Sequence, residues 1–316
     1  MDLRIFTEPQ QGASYEQLLN VARTTEECGF GGFFRSDHYL RMGNATGLPA
    51  YTDAWTTLAG LARDTRTVRL GTLVTPTTFR APGTFPVVVA QVDHMSQGRL
   101  EVGLGAGWFQ EEHDTYGLAF PDGRARYDRL EDQLAILHGL WKAPPGGVFD
   151  HKGLTCHVRL EADPLRPAQR PHPPIILGGG GGPRSARLAA SYADEFNVPW
   201  QPPQEAKAVH DVVRRRCEDI GRDPAGLVCS VAQVLCCGQT EAQVAQRAEA
   251  IGRDVAELRQ NGLAGSPAEV VDKLVAFIDS GVGRAYLQVL DLSDVDHLGL
   301  VATEVLPHVA HRAPGM

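Results

Sequence analysis

Lysine is scarce in this chain, standing only at Lys142, Lys152, Lys207 and Lys273. No stretch gathers Lys and Arg together, and no basic stripe is interleaved with aromatic residues, which are 7% of the chain. With a formal net charge of -8, these absences argue against a nucleic-acid partner. No apolar run exceeds strand length, so no membrane span is expected. The opening Met1-Asp2-Leu3-Arg4-Ile5-Phe6 has neither a basic stretch nor a long apolar one behind it, and a cytoplasmic location is the expectation. The cysteines, Cys28, Cys156, Cys217, Cys229, Cys236 and Cys237, show no C-x-x-C spacing and read as reduced, mostly buried thiols. A metal-ligand set is missing too. His308 and His311 have no evident third partner, and the consecutive side chains of Glu111, Glu112 and His113 diverge on a helix, which reads better as a solvated, acidic helix start.

What the chain does contain is an alternation of two periods. Short apolar segments are expected as strands at Leu3–Phe6, Phe30–Ser36, Val68–Val74, Leu100–Leu104, Pro174–Leu177, Asp194–Val198, Leu227–Leu235 and Arg284–Val289. Between them the spacing predicts helices over Tyr15–Cys28, Ala54–Asp64, Thr84–Met95, Ala125–Trp141, Arg184–Tyr192, Pro203–Ile220, Glu241–Leu258, Pro267–Ser280 and Val295–Val309. Ser14 with Gln17, and Ser266, are expected N-caps. Eight strand–helix units in 316 residues fit a (β/α)8 TIM barrel better than an open doubly wound sheet. A single domain over 1–316 is expected, with an insertion at about 143–174 between strands four and five, too long for an ordinary link and holding a hairpin.

Barrel chemistry sits at the carboxyl ends of the strands, and that rule selects the residues to weigh. Ser36-Asp37-His38 follows strand two: an imidazole can exchange a proton near neutral pH, and a neighbouring carboxylate can fix its tautomer. A loop cap at Asp37 with a merely satisfied His38 fits the residues equally well. Gly178, Gly179, Gly180, Gly181 and Gly182 end strand five and open a helix, where backbone N–H groups and the helix start favour an anion such as phosphate. Arg184 in the first turn can add a charge-assisted bond; the other reading is a plain flexible loop. Leu104-Gly105-Ala106-Gly107-Trp108 leaves room for a flat ring that Trp108 can wall, or simply makes a turn.

Together these pieces resemble the luciferase-like monooxygenase superfamily, in particular its oxidoreductases dependent on coenzyme F420, a deazaflavin. The resemblance is carried by Phe33-Phe34-Arg35-Ser36-Asp37-His38, by Trp55 to Ala62 with Val68 to Thr75, by Ser96 to Trp108, by Arg126 to Glu131, by Arg170 to Gly181, and by Ala193-Asp194 with Asn197. It implies a cofactor lying across the barrel mouth. Asp37 and His38 would lie at its ring system, Thr72, Leu73 and Thr75 would pack on or bond to it, and Gly105, Ala106 and Gly107 would contact it. The Gly178–Gly182 run and Arg184 would hold its phosphate. A non-proline cis peptide is implied near Thr72-Leu73. Where some family dehydrogenases carry a glutamate after the strand-four glycines, this chain has Trp108, so an acid–base role borrowed for that position does not transfer. The resemblance implies hydride transfer between the deazaflavin and a small organic substrate, with His38 handling a proton and Trp108 beside the hydride path. The acidic deazaflavin tail would meet Arg80, Arg124 and Arg126. Alternatives are an FMN-dependent monooxygenase using reduced flavin and O2, and a non-catalytic flavin-binding protein. The Arg-rich, Lys-poor composition fits a GC-rich genome, where deazaflavin is common. A small-molecule substrate and a homodimer, frequent in the family, are the expected partners, and loops 39–54, 108–124 and 143–174 are expected to shape the substrate pocket.

Overall fold

In the computed structural model, which describes residues 1–43, 45–49, 51–144, 146–160 and 165–312, eight parallel strands close on themselves. They are β1 (Asp2–Thr7), β2 (Gly32–Arg35), β3 (Arg69–Thr72), β4 (Leu100–Gly105), β5 (Ile175–Gly178), β6 (Glu195–Pro199), β7 (Val228–Cys237) and β8 (Arg284–Val289). Each pairs with the next in sequence, and β1 returns to β8 through Asp2↔Arg284 to Thr7↔Val289. This is a (β/α)8 barrel. Of the expected single domain and its loops, residues 44, 50, 145, 161–164 and 313–316 lie outside the described residues.

The barrel interior is filled in layers. At the amino end, Arg4 pairs with Glu101 at 2.5 Å. Arg69 joins the same carboxylate, and Arg284 pairs with Glu195. Burial costs Arg4 solvation, but Tyr286, Glu101 and Asp2 outweigh it and hold the guanidinium charged. Above this layer Phe34 meets Tyr286 edge-on at 4.9 Å, beside Phe6 and Ile176. The carboxyl end is left open, and the cavities described below lie there.

Local chemistry explains most element boundaries. Ser14 and Ser266 form capping boxes with Gln17 and Glu269. Two expected helices break. Glu241–Leu258 becomes Glu241–Ala250 and Val255–Asn261, because Gly252 takes φ +66 and Asp254 starts a new cap by accepting from Glu257 N. Val295–Val309 becomes Val295–Glu304 and Leu306–Val309, Pro307 having no N–H for the continuing turn. A seven-residue helix at Gln110–Tyr116 adds to the expected elements. Between β4 and β5 the hairpin strands Phe149–Lys152 and His157–Leu160 pair antiparallel. They are anchored by Asp132, which accepts from Leu154 N at 2.9 Å and Thr155 N at 2.6 Å. The six cysteines are free thiols. Burial pushes Cys229 up to about 11 and Cys237 up to about 12. No helix among the described residues is long and apolar enough to cross a membrane.

Candidate active site at the barrel mouth

His38 leaves the end of β2 and turns its ring to the barrel mouth. Its Nδ1 lies 2.9 Å from Oε2 of Glu112. The other oxygen of that carboxylate accepts the Leu40 N–H at 2.9 Å and the Tyr39 N–H. Both oxygens of Glu112 are thus engaged by the His38–Leu40 segment, and in the tautomer that suits this contact Nδ1 of His38 donates to Oε2. This corrects the reading of Glu111, Glu112 and His113 as a solvated helix start. Glu111 is exposed, but Glu112 is 0% and His113 1% exposed. His113 bonds Phe109 O and Thr78 Oγ1, each at 2.7 Å. Within this short helix the adjacent Glu112 and His113 turn inward while Glu111 faces solvent.

A cavity of about 380 Å³ opens beside this pair. Leu73, Gly105, Ala106 and Gly107 line one side, Gly178, Gly179 and Asn197 another, and Glu8 and Trp200 a third. Glycine along β4 has local reasons: a Cβ on Gly103 would collide with the Thr72 backbone carbonyl, one on Gly105 would come 2.8 Å from the Val74 side chain at Cγ2, and Gly107 has φ +84. Trp108 is 64% exposed and lines the cavity. Its ring is 5.8 Å from that of His38 and stacks on Phe109 at 5.2 Å. A non-proline cis peptide joins Leu73 to Val74, one bond beyond the expected place.

Three expected site residues sit behind this surface instead of on it. Asp37 is buried and accepts from Thr75 Oγ1 at 2.9 Å and from Arg80 at 3.3 Å. Burial pushes its carboxyl up against the pull of Arg80 and Arg35. Thr75 also accepts from Trp55 Nε1 at 3.0 Å, and Thr72 donates to Gly103 O at 3.0 Å. These groups brace the strand ends under the cavity.

The expected basic rim is thinned. Arg80 is drawn inward to Asp37 and to Asp53 at 2.7 Å. Arg126 lines the cavity, bonds Gly107 O at 3.2 Å and lies 4.0 Å over the Phe120 ring, while Arg124 is exposed. The glycine run reaches the start of helix Pro183–Tyr192, which no side chain caps. Gly178 and Gly179 line the cavity. A Cβ on Gly180 or Gly182 would meet nothing within 4 Å, so at these two positions the run is an open cradle ahead of helix amides that no side chain caps. Arg184 stands in that first turn, but its guanidinium is held by Asp128 and, at 3.0 Å, by Glu131.

Glu8, one residue past β1, was not signalled by any motif. It lines the cavity, and burial pushes its carboxyl up, against the opposing effects of His38 and a bond with Gln11. The parallel pairing of β1 with β2 brings it near His38. Among the described residues no group of side chains forms a metal site.

Comparison with known proteins agrees with this architecture. The family model described as luciferase-like monooxygenase matches residues 1–257. An F420-dependent hydroxymycolic acid dehydrogenase of Mycobacterium tuberculosis is 29% identical over 216 residues, 67% of this chain and 56% of that protein. An F420-dependent glucose-6-phosphate dehydrogenase of Nakamurella multipartita is 32% identical over 185 residues, 57% of this chain and 51% of that protein. The chain thus spans about half the length of the curated relatives it matches. The crystal structure of a monooxygenase from Streptomyces bottropensis shares the fold with a TM-score of 0.78 at 24% identity, over 98% of this chain and 99% of that one.

Proposed function

The chain belongs to the luciferase-like monooxygenase family, and from that premise we propose that it is an oxidoreductase moving a hydride between coenzyme F420 and a small organic substrate. The observation that carries this reading is the His38–Glu112 pair at the edge of the cavity. With Nδ1 bound to a buried carboxylate, Nε2 is the nitrogen left for a substrate oxygen. It accepts the proton of an alcohol during oxidation, or returns one to a carbonyl during reduction.

The residues present fit the cofactor. Leu73, Gly105, Ala106 and Gly107 offer a low surface for a flat ring system. The Gly178–Gly182 cradle and the uncapped helix amides suit a phosphate, and Arg124 and Arg126 remain for an acidic tail. When bound, the deazaflavin supplies the carbon that takes or gives hydride. The chain orients the substrate, excludes water with Trp108 and Trp200, and moves the proton at His38. The names of the two F420-dependent relatives support this choice over FMN.

Titrating the protein with F420 and FMN side by side tests the reading. Micromolar or tighter F420 binding with weaker FMN binding is expected, followed by turnover of an alcohol or ketone. Tight FMN binding with oxygen consumption would transfer the protein to the monooxygenases. Tight binding of either without turnover would make it a carrier.

A further inference from the structure

A second cavity, of about 880 Å³, adjoins the first. Glu8, Met42 and Trp200 line both, so the two meet at the end of β1. Trp200 holds a left-handed backbone there, φ 60, a conformation uncommon for a bulky side chain and associated with functional sites. The outer cavity lies over the ends of β7 and β8. It is closed on one side by the turn at Gly252, where the expected long helix breaks and folds back.

The lining of this outer space is specific in its chemistry. Val234, Ile251, Leu258 and Leu290 give it apolar walls. Its charged groups among the described residues are Glu8, Glu249, Arg253 and Glu257. Arg253 is already bound by Glu257 through contacts of 2.7, 2.8 and 3.1 Å. A phosphate dianion placed there would face Glu249 with no uncommitted cation among these lining groups, and like charge disfavours it. An uncharged molecule with an apolar body meets no such cost and gains by burying that body.

We propose that the outer cavity is the substrate site, and that the substrate is an uncharged alcohol or ketone with a bulky apolar body whose oxygen reaches His38 at the junction. This rests on the assignment of the inner cavity to the deazaflavin. In the oxidising direction the carbinol C–H bond gives its hydride to the deazaflavin, the O–H proton passes to Nε2 of His38, and the C–O bond becomes double. Reduction reverses each transfer. The chain thereby differs from its glucose-6-phosphate dehydrogenase relatives, whose named substrate carries a phosphate.

Calorimetric titration of the full chain with 2-propanol, a decalin-type ring alcohol and glucose 6-phosphate tests this, alongside the variant Ala250→Trp. Ala250 is an exposed lining residue of the outer cavity alone. The ring alcohol is expected to bind at least about tenfold tighter than 2-propanol, with no saturable binding of glucose 6-phosphate. Ala250→Trp should abolish that preference while F420 affinity stays unchanged. Tighter binding of glucose 6-phosphate than of the ring alcohol, or a size preference unaffected by Ala250→Trp, would overturn the proposal. Ring-alcohol binding that Ala250→Trp abolishes, in a protein that binds no F420, would instead sink the proposed function and leave the outer site standing.

Discussion

With Nδ1 of His38 committed to Glu112, the proton chemistry of the site runs through one nitrogen. His38→Ala should lower turnover by roughly 10²–10⁴-fold, the usual range for a lost general acid or base, with F420 affinity within about threefold of wild type. Single-turnover hydride transfer at the wild-type rate would make His38 structural. Glu112 is a positioning residue, and its replacement reads differently. In Glu112→Gln an NH2 donor must face either the His38 Nδ1–H or the Tyr39 and Leu40 amides. A fall in kcat of about tenfold or more with KM little changed is expected, as when the orienting carboxylate of a His dyad is lost. An unchanged kcat in steady-state assays would show that Glu112 merely closes a loop. Of this pair, the sequence showed His38 by its place after a strand. Glu112 was hidden because a carboxylate in a charged run looks solvated until a partner is known.

At the scale of elements, the glycine run separates two kinds of demand. Gly181 has φ +69, and a Cβ there would lie 2.8 Å from Val209 Cγ1, so Gly181→Ala should cost on the order of 1–2 kcal/mol of stability. Gly180 has no neighbour within 4 Å of a Cβ. Its methyl group would stand in the open cradle, so Gly180→Ala should leave the thermal midpoint unchanged and weaken F420 about tenfold, near 1.4 kcal/mol. Fluorescence titration and a melting curve separate the two variants. Equal F420 affinity in Gly180→Ala would place the phosphate elsewhere on the mouth. The run itself was visible in the sequence because strand, glycines and helix followed in order. The occupation of Arg184 by Asp128 and Glu131 was not, since those carboxylates lie on a helix more than fifty residues earlier.

For the whole molecule, acid stability follows from two buried imidazoles, His210 and His297, and a half-buried one, His138. Burial lowers His138, His210 and His297 to about 4 from 6.5. His297 Nε2 accepts the Cys237 N–H at 2.9 Å, which requires an unprotonated nitrogen. In the unfolded chain these groups take up protons below pH 6.5, whereas in the fold they resist until about pH 4. The unfolded state therefore binds more protons in that window, and stability falls as pH drops from 6.5 towards 4. Each group steepens the fall by up to about 1.4 kcal/mol per pH unit. Urea midpoints measured between pH 7 and 4.5 should decline, and His297→Gln should flatten the slope. A midpoint independent of pH over this range would refute the assignment.

Periodicity, caps and glycines determined the strand–helix alternation, and with it the barrel, because those signals are local: each is a relation among residues a few positions apart. The same locality placed Asp37-His38, the strand-four glycines and Gly178–Gly182 at the strand ends. Tertiary structure alone decided what those residues face. The packing of neighbouring strand ends put Glu8 near His38, set Glu112 against it, and drew Arg80 inward to Asp37 and Asp53, and a second cavity opens over β7 and β8. Those outcomes turn on charges and side chains from different strand–helix units, which meet only when the units pack together.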